Sequence, residues 1–98
     1  LMARAVRLTN YHVGATCSPT RAMLMTGVDH HRAGVGAMYE TLRSNPQYRG
    51  RPGYEGHLNG RVVTIASRMR EAGYSTFVSG KWHLGYDEPD LPPARGFD

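Results

Sequence analysis

The stretch "TIASRMREAGYSTFVSG", residues 64–80, carries the clearest local pattern in the chain. Thr64 is a candidate helix N-cap, because its hydroxyl can accept one of the N–H groups that a first helical turn leaves unpaired. Ile65, Met69 and Ala72 recur on one helical face, and Gly73 supplies a stop. "YSTFVSG" (74–80) follows as an expected strand, with Phe77 and Val78 pointing to opposite, covered faces. Upstream, "AVRLTNYHV" (5–13) alternates loosely and is a second expected strand. A helix over about 19–26 comes next, with Pro19 in its first turn and Gly27 as its stop. Two strand–helix units predict an α/β layered sheet.

Between these units, residues 28–60 are rich in Gly, His, Arg and Pro and read as a long irregular excursion. An excursion of that length is functional or disordered more often than it is a neutral connector. "YDEPDLPPARGFD" (86–98) reads as a Pro-rich loop without regular structure. No internal repeat or low-complexity tract is present.

With 98 residues, 40% of them hydrophobic and 9% aromatic, the composition is that of one small globular domain. A domain of this size buries only about 60–65% of its unfolded surface, so its stability margin is thin. The net charge of +4 favours anionic partners. Its 12 Lys and Arg are dispersed, without a basic run or an alternation with aromatics, so nucleic acid is not an expected partner. No stretch approaches the ~20 apolar residues of a membrane span. "LMARAVRLTN" (1–10) puts arginines where the apolar core of a secretory signal would stand, so no such signal is expected there.

Cys17 is the single cysteine and cannot form an internal disulfide. It opens "CSPTRAMLMTG" (17–27), at the mouth of a short helix whose Met23, Leu24 and Met25 read as core filler. A helix N-terminus offers free N–H groups and partial positive charge to an anion. Arg21, one turn on, can stabilise a developing oxyanion. Downstream stands "GKWHLG" (80–85) at the end of the second expected strand, where ligands bind in open α/β sheets. Lys81 and His83, two apart on an extended segment, share a face: one can hold an anion, the other can move a proton. Trp82 is sent to the opposite face and reads as packing. Asp29, His30 and His31 have a metal-like composition but no zinc spacing, so a polar loop is the expectation there. His12 and His57 belong to no pattern.

The spacing C-x-P-x-R-x-x-x-x-T-G, followed by G-K-W-H-L-G, resembles the two signature segments of type I sulfatases of the alkaline-phosphatase superfamily. "TGVDHHRAGVGAM", "GRPGYEGHLNG", "REAGYSTFVSGKWHLG" and "PARGFD" extend the resemblance to bacterial arylsulfatases over nearly the whole chain. It implies an α/β/α sandwich with a mostly parallel mixed sheet, of which residues 1–98 are a partial domain, inactive alone. The N-terminal metal-ligand segment and the C-terminal remainder of that domain would lie outside it.

By the same resemblance, a maturation enzyme oxidises Cys17 to Cα-formylglycine, reading the flanking Pro19 and Arg21. The hydrated aldehyde attacks the sulfur of a sulfate ester with one hydroxyl; deprotonation of the other expels sulfate. Lys81 would contact sulfate and the formylglycine, and His83 would take the proton that triggers elimination. The resemblance also implies a calcium ion, with the residue at position 17 as one ligand. Asp29, Asp87, Asp90 and Asp98 do not match the family's other calcium ligands, and a second sulfate-binding His and Lys have no counterpart here. The compartment implied is bacterial cytoplasm or periplasm, with no choice made between them. Two other readings stand beside this one: a phosphonate or phosphate monoester hydrolase of the same superfamily, and a non-catalytic anion-binding module.

Overall fold

In the computed structural model, which describes residues 2–98, three α-helices form: α1 (Cys17–Thr26), α2 (Tyr39–Ser44) and α3 (Ile65–Glu71). Short 3-10 turns cover Met2–Arg4, Pro46–Tyr48, Glu88–Asp90 and Pro92–Arg95. The expected helix ends are present. Thr64 Oγ1 accepts the Ser67 N–H at 3.1 Å, and its own proton goes to the carbonyl of Arg95. Gly27 closes α1 in the left-handed conformation at φ 67°, where a glycine carries no Cβ penalty, and its N–H reaches Met23 O. α1 begins two residues earlier than expected, so Cys17 itself is the first helical residue.

Among the described residues no strand forms, and this corrects both strand expectations. Residues 5–13 are exposed throughout, with Val6 88% and Leu8 64% accessible. Residues 74–80 are held at two points: Tyr74 N donates to Met69 O at 3.0 Å, and Thr76 is bonded to residues 96 and 98. Thr76 N donates to Asp98 Oδ2 at 2.7 Å, its hydroxyl donates to Gly96 O at 2.6 Å, and Asp98 N returns a bond to Thr76 O at 2.8 Å. Phe77 is 79% exposed, so the covered faces expected of it are absent. A strand exists only through its ladder, and β-type side chains without partner strands leave an extended segment. The layered sheet implied by the sequence is therefore not seen in these residues.

The core is small and built mostly from the long excursion. Ala22 of α1, Ala33, Val35, Leu58 and Leu84 are fully buried, with Met25, Val62 and Trp82 packed against them. Residues 28–60 are thus ordered, and α2 lies within them. Their backbone is stitched by Gly36 N to Gly53 O (2.7 Å), Gly56 N to Gly34 O (2.9 Å), Asn59 N to Ala33 O (3.0 Å) and Leu58 N to Leu84 O (2.9 Å). The last of these ties the excursion to the segment carrying His83.

Apolar residues on helices do not all face this core. Leu24 is 64% exposed, and Ile65 and Met69 of the expected α3 face are 58% and 39% exposed, whereas Ala22 and Ala66 are buried. The Pro-rich end is not featureless either: Phe97 is buried edge-on against Trp82 at 6.0 Å. Asp90 is buried and bound by Arg95 Nη2 at 2.6 Å and His57 Nδ1 at 3.3 Å. The radius of gyration, 14.7 Å, exceeds the roughly 13 Å expected for this length, as the exposed N-terminal segment requires.

Candidate active site

Cys17 is half-buried at the start of α1, and residues far away in sequence close around it. His83 Nδ1 lies 3.2 Å from Cys17 Sγ, and Lys81 Nζ donates to the same sulfur at 3.4 Å. Met38 Sδ is 3.5 Å from it on another side. Arg21 does not meet the thiol: its Nη1 donates to the backbone carbonyl of Lys81. That bond ties α1 to the segment bearing Lys81 and His83. The opening beside the thiol is a shallow hollow of about 400 Å³ lined by Ala15, Thr16, Cys17, Thr20, Arg21 and Leu24. A hollow of about 550 Å³ between Gly27 and Arg68 has no thiol, histidine or carboxylate in its lining.

Lys81 and His83 reach one point, but not by strand alternation. His83 sits at φ 62°, in the left-handed region, so the segment turns at the histidine. The turn is anchored on both sides. Trp82 Nε1 donates to Asp90 O at 2.9 Å, and Leu84 is fully buried. Trp82 is therefore a packing residue. The imidazole is only 10% exposed.

Glu40, in the first turn of α2, lies behind His83. Its Oε1 and Oε2 are 3.0 and 3.2 Å from His83 Nε2, and the Tyr86 hydroxyl donates to Oε1 at 3.2 Å. Glu40, Tyr86 and Met38 escaped the sequence reading. Tyr86 had a signal of sorts, three residues past His83, but nothing local marks Glu40, which is 43 residues from its partner.

The charges follow from this packing. Burial pushes the Cys17 thiol up, but hydrogen bonds from His83 and Lys81, with their positive charge, outweigh it and hold the thiol below its ordinary value. Glu40's own backbone N–H and the His83 ring hold its carboxyl low. Burial, with the Glu40 carboxylate beside it, pushes the Tyr86 hydroxyl up and keeps it a proton donor.

Calcium takes six or more oxygens, mostly carboxylate. The groups around Cys17 are a thioether, an ammonium and an imidazole, and the nearby carboxylate of Glu40 is turned to His83. These residues do not fit a calcium ion by themselves. Asp29, His30 and His31 bring three ligand-type atoms within 4.8 Å of one another. They are occupied in shaping their loop, Asp29 Oδ1 accepting the His31 N–H at 2.9 Å and His30 Nδ1 bonding Val35 O at 3.1 Å.

The sequence profile of the sulfatase family matches residues 1–98. An uncharacterized sulfatase of Schizosaccharomyces pombe is 51% identical over 98 residues, covering 99% of this chain and 18% of the relative. An arylsulfatase of Klebsiella aerogenes is 38% identical over 98 residues, 97% of this chain and 20% of the relative. Arylsulfatase J of Mus musculus is 34% identical over 99 residues, all of this chain and 15% of the relative. The chain thus spans about a fifth or less of the length of these relatives. A family match along its whole length, with the cysteine segment and the Lys81–His83 segment meeting in space, means that this chain belongs to the sulfatase family.

Proposed function

We propose that these residues form part of the catalytic centre of a sulfuric ester hydrolase acting on aryl sulfates, with a formylglycine derived from Cys17 as nucleophile. The observation that carries this is the convergence of Lys81 Nζ and His83 Nδ1 on Cys17 Sγ, from 64 and 66 residues away. The sulfur stands in for the oxygen that a matured residue would present. As a hydrated aldehyde, that residue supplies one hydroxyl to attack sulfur and a second whose deprotonation releases sulfate.

The chain's own groups divide the remaining work. Lys81 holds the anionic substrate against residue 17 and stabilises charge on the sulfate oxygens. His83, behind the nucleophile and shielded from solvent, takes the proton that lets sulfate leave. Arg21 keeps the two segments in register through the Lys81 carbonyl, and as a residue lining the hollow it has further N–H groups to offer a developing oxyanion. Pro19 and Arg21 are the features that a maturation enzyme would read.

The test is co-expression of the full-length protein with a formylglycine-generating enzyme, followed by the mass of the peptide containing residue 17 and by turnover of an aryl sulfate. Conversion of the thiol to the aldehyde together with turnover is expected. A thiol that persists where a known sulfatase is converted overturns the nucleophile. A matured protein that cleaves phosphonate esters but no sulfate ester overturns the substrate class.

A further inference from the structure

The geometry behind His83 points to a role for a residue outside the signature segments. His83 Nε2 lies 3.0 and 3.2 Å from the two carboxylate oxygens of Glu40. An ionised carboxylate has no proton to give, so Nε2 is the protonated nitrogen of that contact. In the neutral ring the lone pair is then on Nδ1, and Nδ1 is the atom 3.2 Å from Cys17 Sγ. The ring is thus held in the one neutral tautomer that can accept a proton from residue 17.

Two features show that this hold is built. His83 adopts φ 62°, a conformation uncommon for side-chain-bearing residues, and its ring is bonded on both nitrogens, to residue 17 and to Glu40. Glu40 is in turn fixed from the same turn that carries His83. The Tyr86 hydroxyl donates to Oε1 at 3.2 Å, and the Tyr86 ring packs on Tyr39, the neighbour of Glu40, at 5.0 Å. Residues 39–40 of α2 and 83–86 therefore clamp each other, with the imidazole between the carboxylate and the nucleophile.

We propose that Glu40 is a positioning residue that fixes the tautomer and orientation of His83 for proton transfer at residue 17, and that Tyr86 holds the Glu40 carboxylate in place. The proposal rests on the reading of His83 as the proton acceptor in sulfate ester hydrolysis. In that step the hydroxyl proton of residue 17 moves to Nδ1 and the O–H electron pair forms the aldehyde C=O. Sulfate departs with the electrons of the broken C–O bond, while the Nε2 proton stays shared with Glu40.

The test uses the matured full-length protein and the variants Glu40→Gln and Tyr86→Phe. Both side chains are more than half exposed, so the fold tolerates either change. Glu40→Gln is expected to lower kcat for an aryl sulfate about ten- to hundredfold, the size of loss that removing the orienting partner of a metal-bound histidine produces, while KM stays nearly unchanged because Glu40 does not touch the substrate. Tyr86→Phe lowers kcat in the same direction by less, and Glu40→Asp restores part of the loss. An independent readout is the 15N spectrum of the neutral His83 ring in the unmatured Cys17→Ala protein. Nε2 should carry the proton when Glu40 is present, and the tautomers should redistribute in Glu40→Gln. An unchanged kcat, a loss confined to KM, or a neutral ring protonated at Nδ1 with Glu40 in place overturns the proposal. Absence of wild-type sulfate ester turnover would instead overturn the activity reading, and the tautomer measurement would still decide what Glu40 does.

Discussion

Replacing Gly85 with alanine tests how the turn carrying His83 is built. Gly85 has φ 152°, and a Cβ there would press into Asp90 Cβ and lie 3.0 Å from Asp90 Cγ. Asp90 cannot step aside cheaply. Its carboxylate is bound by Arg95 at 2.6 Å and His57 at 3.3 Å, its carbonyl accepts Trp82 Nε1 at 2.9 Å, and its N–H reaches Asp87 O at 2.8 Å. The unfavourable backbone costs about 1–3 kcal/mol, and overpacking against a fixed neighbour about the same again. Gly85→Ala should therefore cost about 4 kcal/mol. Gly27→Ala is the control: φ is also positive, at 67°, but nothing lies within 4 Å of the new methyl. Strain alone should cost it about 1–2 kcal/mol. The assay is urea unfolding of the full-length variants, with hydrogen exchange of the peptide spanning residues 82–91 as the local readout. Faster exchange in that peptide and a larger loss for Gly85→Ala are expected. If Gly85→Ala costs no more than Gly27→Ala, the close approach of Gly85 to Asp90 is not what shapes this turn.

Unconverted Cys17 should be alkylated by iodoacetamide at lower pH than a free cysteine, because its thiol lies below the ordinary value and thiolate therefore persists to lower pH. Lys81→Met should move the midpoint up, and an unmoved midpoint would contradict the Lys81–Cys17 contact. In the matured full-length protein, Lys81→Ala should lower the specificity constant roughly thirty- to thousandfold through loss of one charge-assisted contact, as measured by steady-state turnover of an aryl sulfate. His83→Ala should instead give a burst of released alcohol followed by turnover about a hundred- to ten-thousandfold slower, with sulfate retained on the residue 17 peptide. Normal turnover, or a stall before any alcohol appears, would remove His83 from the elimination step.

Much of the site was legible because its signals are local. Thr64 caps its helix and Gly27 and Gly73 follow helix ends, since capping and left-handed turns depend on one residue and its immediate neighbours. Cys17 with Pro19 and Arg21, and Lys81 with His83, stand in fixed short spacings, so the candidate chemistry could be named before any contact was known. What depended on distant partners was not legible. "YSTFVSG" has the composition of a strand, but strand formation needs a neighbouring backbone, and residues 74–80 bond to one only at Tyr74, in the turn after α3, and at Thr76. The excursion over 28–60 has no periodicity, because its order comes from Val35 and Leu58 entering a shared core and from backbone bonds between its arms. Arg21 was read as a partner for an oxyanion; that one of its N–H groups also ties α1 to the Lys81 carbonyl, 60 residues away, was not legible. Glu40 had no local mark at all. Only the tertiary structure puts it against His83, since the two meet where α2 packs on the turn after His83, through the Tyr39 and Tyr86 rings and the Tyr86 hydroxyl, and not through any spacing in the chain.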